Sequence, residues 1–472
     1  MSMARRTKDD SHFDLVVIGS GSAGDAAARA ARGNGHSVAV VEKDKLGGDC
    51  ANYACVPSKA LLRSARVYAQ LKKAREFGLR AKDVSFDWPR MVARKDRIVG
   101  NTSARSAEER YARAGIALIR GTATFADARR LRVDGRVIEG ERVMLATGSK
   151  PARPCIPGAD QVSTITSVDA ASLPQLPMRI AIVGGGPVGC EFAQLFSTLG
   201  VEVILIQRAQ SLLEREEPEL SALVQQSLVM NGATILTSAR VERFENARGL
   251  TKVYASVDGE PYDFFADQVL LATGRQAQVD ELALDAAGVS LDEHGFVQVN
   301  EFLQTAQLHI YAAGDVAGPL RYTHLATYQG QLAGWNMFAA EPQRADYRVV
   351  PHVTFTDPEI ASVGLSEAKA RAAGHSAVSV TFDVKTLGRA LVDSTNVGLI
   401  KLVGDARTGE ILGGHIVAPG AGELIHEIVA AMQARAHMQD LARAIHAYPT
   451  FSEGIAVAAG EWLDKVEQEA RL

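Results

Sequence analysis

One unit occurs twice in this chain, and it constrains the fold more than any other feature. DLVVIGSGSAGDAAARAARGNG fills residues 14–35, and RIAIVGGGPVGCEFAQLFSTLG fills 179–200. Each is an apolar run leading into G-x-G-x-x-G and then an Ala-rich or apolar helical stretch, so Gly19, Gly21 and Gly24 have counterparts in Gly184, Gly186 and Gly189. A second apolar run follows in both, SVAVVEK at 37–43 and VEVILIQR at 201–208, which completes a β-α-β pattern. Further on come MLATGS at 144–149 and LLATGR at 270–275, each an apolar strand ending in Ala-Thr-Gly. The first glycine of such a fingerprint permits the tight turn, the second lets the backbone approach a pyrophosphate, and the third lets helix pack on strand. The anion then rests on the positive end of the helix. An α/β chain with two Rossmann-like domains and two bound nucleotides is implied.

The strand ends separate the two copies. Glu42, about 20 residues past the first fingerprint, offers a carboxylate to ribose hydroxyls and suits an adenosine with no 2′-phosphate. The second copy has Gln207 and then Arg208 there, and a neutral amide beside a guanidinium favours a 2′-phosphate. NADPH is therefore expected ahead of NADH.

A chain of 472 residues has room for about three domains. With 51 basic and 55 acidic residues it lacks the basic surplus that a nucleic-acid partner favours. No apolar run approaches the roughly 20 residues that span a bilayer, and MSMARRTKDDSH at the N-terminus has no apolar signal core. A cytoplasmic protein with neither nucleic-acid nor membrane partners is expected. KPARPCIPGAD at 150–160 reads as a linker between the halves. From residue 350 the strands expected at 378–383, 398–403 and 411–417, followed by helices, indicate a third, α+β domain without a fingerprint.

Four cysteines are too few for a secreted disulfide scaffold. Cys50 and Cys55 lie five residues apart in LGGDCANYACVPSKALLRSAR, with Pro57 just inside the start of a helix. Cys55 thus falls at a helix N-terminus, where the dipole lowers a thiol pKa and primes the pair for thiol-disulfide exchange. A zinc site needs four ligands, and no second Cys or His cluster accompanies these two, so no metal site is expected. Cys155 in the linker and Cys190 near a helix start read as packing residues.

GGDCANYACVPSK, the two fingerprints, the ATGS and ATGR turns, TAQLHIYAAGD at 305–315 and HAYPTFSEG at 446–454 together resemble the pyridine nucleotide-disulfide oxidoreductases with a Cys-x-x-x-x-Cys disulfide. That family includes dihydrolipoamide dehydrogenase, glutathione reductase and mercuric reductase, and the resemblance covers the chain beyond residue 12. It implies an FAD-binding domain in two parts, 1–152 and 281–349, an NAD(P)-binding domain at 153–280 and a dimerisation domain at 350–472, hence a homodimer. Cofactor contacts are then expected from Gly19, Ser20, Gly21, Ala23, Gly24, Glu42 and Lys43, and from Gly48, Asp49, Lys59 and Ala123. Thr147, Gly148, Ser149, Gly314 and Asp315 belong to the same set, with Asp315 on the flavin ribityl chain. The second nucleotide is expected on Gly184, Gly186, Pro187, Val188, Gly189, Glu191, Gln207 and Arg208, with Gly274 and Arg275 completing the cofactor-binding residues.

The resemblance also implies a mechanism. Hydride passes from the nicotinamide to the flavin, and the flavin reduces the Cys50–Cys55 disulfide. Cys55 would face the flavin as the charge-transfer thiolate, and Cys50 would exchange with substrate. Lys59 corresponds to the family lysine beside the flavin, with Glu191 as its expected partner.

The chain departs from the family pattern at the base. Dihydrolipoamide dehydrogenase and glutathione reductase carry His before Pro-Thr, oriented by a Glu five residues on, whereas this chain has Tyr448, with Glu453 in the expected place. A histidine of ordinary pKa about 6.5 shuttles protons to a dithiol, but a tyrosine, ordinarily about 10, stays protonated at neutral pH. His446 precedes the base position without occupying it. Mercuric reductases resemble the chain in carrying Tyr here and in the run LIQRAQSLLEREEPEL, but they end in a vicinal Cys pair, and this sequence has no cysteine after Cys190. Ala54 replaces the usual Gly before the second cysteine. The expected activity is transfer of electrons from NAD(P)H through FAD and the disulfide to a disulfide, a soft metal ion or another small acceptor, as in mercuric reductase. Dihydrolipoamide dehydrogenase is the alternative enzyme, and a slow-turnover redox-sensing or scaffold flavoprotein the alternative of another class.

Overall fold

Both glycine-punctuated units fold as parallel β-α-β, and their strands, apolar almost throughout, are buried on both faces as parallel sheets require. The computed structural model describes residues 11–102 and 106–471, so most of the polar N-terminal segment lies outside the described residues. The chain divides into two units, the first made of the chain up to Ala60 with Val92–Ala152 and Gly274–Asp346, the second of Leu61–Met91, Arg153–Thr273 and Tyr347–Leu472.

In the first unit the strand His12–Ile18 lies at the centre of a seven-stranded sheet. It runs parallel to Val38–Glu42 on one side and to Arg136–Leu145 on the other, with Leu15 opposite Val38 and Arg142. Ala117–Arg120 extends the sheet beyond Val38–Glu42, and Ile310–Ala312 joins Arg136–Leu145 in parallel. The helix Ser22–Gly33 is alanine-rich because the helix Thr323–Asn336 crosses it almost backbone on backbone. A Cβ on Gly330 would lie 2.1 Å from the Ala23 carbonyl oxygen, and one on Gly334 would lie 2.6 Å from that of Ala27.

The second unit holds the other copy in a five-stranded parallel sheet, ordered Thr234–Leu236, Glu202–Ile206, Arg179–Val183, Gln268–Leu271, Thr164–Ile165. A separate antiparallel sheet, His352–Thr354, Glu359–Gly364, Ile411–Ala418, Leu399–Asp405 and Ala377–Asp383, carries the helices Ala421–Gln433 and Glu453–Ala470 over a core that includes Ile400, Ile416, Ile428, Ile455 and Trp462. This is the α+β domain expected from residue 350. Polar bonds join it to the parallel sheet's segment. Buried Lys401 places its Nζ 3.0 Å from Glu217 Oε2 and 2.8 Å from Glu219 Oε1, and Glu216 is held by His352 Nε2 at 2.7 Å and by Ser362 Oγ at 2.6 Å. No helix among the described residues is long and apolar enough to cross a membrane.

The helix crossing gives a direct test. Gly330→Val forces side-chain atoms into the Ala23 backbone and should cost at least about 1–3 kcal/mol, read as a lower urea midpoint. Gly33→Ala, at the end of the partner helix Ser22–Gly33 and with open space around its Cβ, should leave the midpoint unchanged or raise it.

Candidate active site

The two fingerprints repeat one another down to single hydrogen bonds. Gly19 N–H donates to Val41 O and Gly184 N–H to Ile206 O, both at 2.8 Å. Ala146 N–H then donates to Ile18 O at 2.9 Å, and Ala272 N–H to Val183 O at 2.8 Å. Both first glycines have positive φ, 100° and 112°, and a Cβ on either would fall within 2.4 Å of a carbonyl oxygen, that of Ala146 or Ala272. The third glycines, Gly24 and Gly189, seat helix on strand so closely that a Cβ would lie 1.9 and 1.8 Å from the oxygens of Gly19 and Gly184. The middle glycines behave differently. A Cβ on Gly186 would meet nothing within 4 Å, and one on Gly21 only Gly48 Cα at 3.8 Å. Among the described residues nothing crowds the Cβ space at these two positions, which leaves it open to a closely approaching pyrophosphate.

The strand-end side chains are also equivalent. Glu42 Oε2 accepts from Ser20 N–H at 2.8 Å and from Ser20 Oγ at 2.7 Å, while Oε1 accepts from Asp44 N–H at 2.8 Å. In the second copy Gln207 Oε1 accepts from Gly185 N–H at 3.0 Å, and Arg208 next to it is exposed. Lys43 pairs with Glu281. Pro187 opens the helix Pro187–Thr198, with Val188 partly exposed after it. Ala123 is buried in the core of the first unit.

The cysteine segment sits directly on the first glycine turn. Gly47 N–H donates to Ser20 O at 3.2 Å, and Gly48, at φ 69°, approaches Gly21 too closely for any side chain. A short helix, Gly48–Asn52, follows, and the Asp49 carbonyl accepts from Tyr53 and Ala54 N–H at 2.8 and 2.9 Å, closing the turn into the helix Cys55–Lys72. Cys55 therefore begins that helix, as the sequence predicts. Both cysteines are thiols, and Cys55 Sγ lies 3.6 Å from Thr323 Oγ1 at the start of another helix. The Cys50 thiol, hydrogen-bonded to Cys55, brings the Cys55 pKa down to about 6, with Thr323 and the Lys59 ammonium acting in the same direction against burial. Cys50 moves up, through the same bond and its burial. Cys190 is buried, donates to Gly185 O at 3.4 Å and is pushed up by burial, whereas Cys155 is exposed.

A polar chain runs from Asp49 through Arg275 and Ser149 to Asp315. Arg275 Nη2 donates to Asp49 Oδ2 at 2.6 Å and to Ser149 O at 2.8 Å, and its Nε donates to Ser149 Oγ at 2.6 Å. Ser149 Oγ in turn donates to Asp315 Oδ2 at 2.6 Å. Gly148 and Gly274, at φ 70° and 109°, make the two Ala-Thr-Gly turns, and Gly314 N–H donates to Gln329 Oε1 at 2.8 Å. Thr147 Oγ1 is buried without a hydrogen-bond partner among the described residues, the kind of orphan that a bound group accounts for. The open middle glycine, the orphan hydroxyl and the Asp315 carboxylate fit an FAD.

In the second unit Glu191 is buried and accepts from Phe355 N–H at 3.1 Å. Tyr448 is exposed, its ring against Gly388, and Glu453 Oε2 accepts from Thr450 N–H at 2.9 Å at the start of the C-terminal helix. His446 is committed to Glu427 Oε1 at 2.8 Å and to Ala444 O at 3.0 Å. Thr323 and Gln329 escaped the sequence reading. Thr323 is 268 positions from Cys55, and only the packing of the Thr323–Asn336 helix brings it to the thiol.

Residues 13–330 match the pyridine nucleotide-disulphide oxidoreductase family, and residues 350–459 match that family's dimerisation domain. The chain is 36% identical to a mercuric reductase of Staphylococcus aureus over 95% of this chain and 82% of the relative, and 39% identical to that of Streptomyces lividans over 95% of each. A dihydrolipoyl dehydrogenase of Bacillus subtilis (strain 168) is 34% identical over 95% of this chain and 97% of the relative. Among solved structures, the HOCl-induced flavoprotein disulfide reductase RclA of Escherichia coli superposes with a TM-score of 0.85 at 28% identity, covering 95% of this chain and 99% of that one. Its Cu(II) complex aligns equally well.

The thiol geometry sets an expected titration. Thiolate absorbance of the reduced protein should rise as pH increases through about 6, well below an ordinary thiol at about 8.5. Thr323→Val removes one stabilising hydroxyl and should move the midpoint upward. A midpoint that stays put in the variant would remove Thr323 from the site.

Proposed function

Because the chain belongs to the pyridine nucleotide-disulphide oxidoreductases, we propose that it passes electron pairs from NADPH through FAD and the Cys50–Cys55 pair to a small thiophilic acceptor, a soft metal ion being favoured over a dithiol. The reading rests on one contrast. Cys55 is set up to be a thiolate at neutral pH, while the position where the family's dithiol enzymes carry a histidine holds an exposed Tyr448 and the neighbouring His446 is bound to Glu427.

The proton balance gives that contrast its meaning. Reducing the disulfide consumes NADPH and one proton and yields two thiols, of which Cys55 sheds its proton at neutral pH. A soft dication then takes both electrons, so that NADPH and M2+ become NADP+, M0 and H+, and no leaving thiolate has to be protonated. Oxidation of dihydrolipoamide instead needs a base to remove a thiol proton. The relatives named mercuric reductase and the Cu(II) complex of the structural neighbour agree with a metal-ion acceptor. FAD, when bound, supplies the two-electron carrier between nicotinamide and disulfide. In this reading segments 1–152 and 281–349 hold FAD, with Asp315 and Ser149 on its ribityl chain, and Glu42 retains carboxylate lone pairs for a ribose hydroxyl. Segment 153–280 holds the nicotinamide nucleotide, with Glu191 among the residues that contact it. Segment 350–472, in which Leu391, Val392 and Ile445 are exposed, pairs two copies, consistent with the dimerisation family match. Gln207 and Arg208 favour the 2′-phosphate, since the amide satisfies Gly185 N–H without adding a negative charge.

Anaerobic titration with NADPH, followed by turnover with mercuric ion, dihydrolipoamide and glutathione disulfide, tests the reading. Loss of visible flavin absorbance and fastest turnover with the metal ion are expected. No loss with either nicotinamide nucleotide would favour a scaffold role and sink the proposal. Tyr448→His should raise dihydrolipoamide oxidation by about tenfold or more, and an unchanged rate would show that Tyr448 does not occupy the base position. Gln207→Glu should raise the KM for NADPH about tenfold through repulsion of the 2′-phosphate while sparing the KM for NADH.

A further inference from the structure

The residue preceding the first redox cysteine is an acid. Asp49 sits in the first turn of the helix Gly48–Asn52, and its main-chain carbonyl closes the turn that delivers Cys55 to its helix. Its side chain is only partly exposed and lies 2.6 Å from Arg275. Burial is the larger influence and holds the carboxyl above the usual carboxylate range, with the Arg275 guanidinium pulling against it. Asp49 also disfavours the Cys55 thiolate through its charge. Nothing in the redox chemistry requires a negative charge there, and a thiolate is better served without one.

Arg275 pairs with that carboxylate and has further bonds of its own. It is one-fifth exposed, and through Ser149 it reaches Asp315, with its Nε 3.7 Å from Asp315 Oδ2. One guanidinium therefore binds the carboxylate beside the cysteines and the hydroxyl that holds the ribityl-site aspartate.

We propose that Asp49 and Arg275 form a compensating ion pair that sets the reduction equilibrium of the Cys50–Cys55 disulfide, the aspartate opposing the anionic thiolate and the arginine cancelling it. Both are positioning residues. The proposal rests on the redox role of the cysteine pair and not on the identity of the acceptor.

Charge alone determines the signs. Asp49→Asn leaves the arginine uncompensated and favours the thiolate, so the disulfide becomes easier to reduce. Arg275→Gln leaves the aspartate uncompensated and makes the disulfide harder to reduce. Each should shift the dithiol/disulfide equilibrium constant about three- to tenfold, up to about 30 mV for a two-electron couple. The double variant should return close to the wild type, and Arg275→Lys, which keeps the cation, should stay near it.

The experiment equilibrates the FAD-loaded protein in dithiothreitol redox buffers at neutral pH, alkylates it, and measures reduced and oxidised Cys50 and Cys55 by mass spectrometry. Opposite shifts in the single variants with recovery in the double variant support the proposal. Shifts of the same sign, or none, overturn it. Should Arg275→Gln fail to fold, Asp49→Asn alone must still shift toward the dithiol, and Arg275→Lys must still match the wild type; failure of either overturns the proposal. Because the equilibrium is set by dithiothreitol, the result stands apart from NADPH turnover, and a wild-type disulfide that forms but is not reduced by NADPH would refute the proposed function alone.

Discussion

Everything in the site depends on how closely the backbone at each first fingerprint glycine approaches the end of the neighbouring Ala-Thr-Gly strand. Gly19 and Gly184 have no room for a Cβ because the oxygens of Ala146 and Ala272 already occupy it. That approach brings the C-terminal ends of three parallel strands together, and the crevice outside such ends is where ligands bind in open α/β sheets. On the first sheet it also sets the height of the cysteine segment, since Gly47 and Gly48 rest on Ser20 and Gly21. The first fingerprint turn and the cysteine segment are thus built together, and a distortion of that turn would be felt by both.

The thiols receive their asymmetry from their surroundings rather than from their own identity. Cys55 starts a long helix and gathers a thiol, a hydroxyl and an ammonium group that favour its anion, whereas Cys50 carries the proton between them. Asp49 works against this arrangement, and Arg275 is paired with its carboxylate. A site with opposing charges held in contact can be tuned by small substitutions without rebuilding its scaffold.

Much of this was legible in the sequence, for identifiable reasons. The fingerprints announce themselves because a tight strand-to-helix turn admits only glycine at Gly19, Gly24, Gly184 and Gly189. Cys55 at a helix start was readable from Pro57, whose missing N–H is tolerated only in the first turn. The α+β domain was readable from the strand pattern after residue 350. What stayed hidden comes from packing between distant segments. Thr323 reaches Cys55 only because the Gly330 and Gly334 crossing brings its helix onto the alanine-rich one. Glu453 was readable as an acid at the right spacing, but its bond to Thr450 N–H was not. The neutral strand-end Gln207 was visible, yet its duplication of the Glu42 bond appears only in three dimensions.

Lys401 bears on how the second unit comes apart. A lysine with almost no solvent, shared among glutamates supplied from the parallel-sheet segment and one, Glu367, from its own domain, cannot be released from one side alone without stranding charge in a poorly hydrated interior. Opening at that seam is therefore an all-or-none event for the residues on both sides. The nucleotide-binding sheet and the C-terminal sheet share one folding fate, and local breathing is left to the loops that carry no such ions.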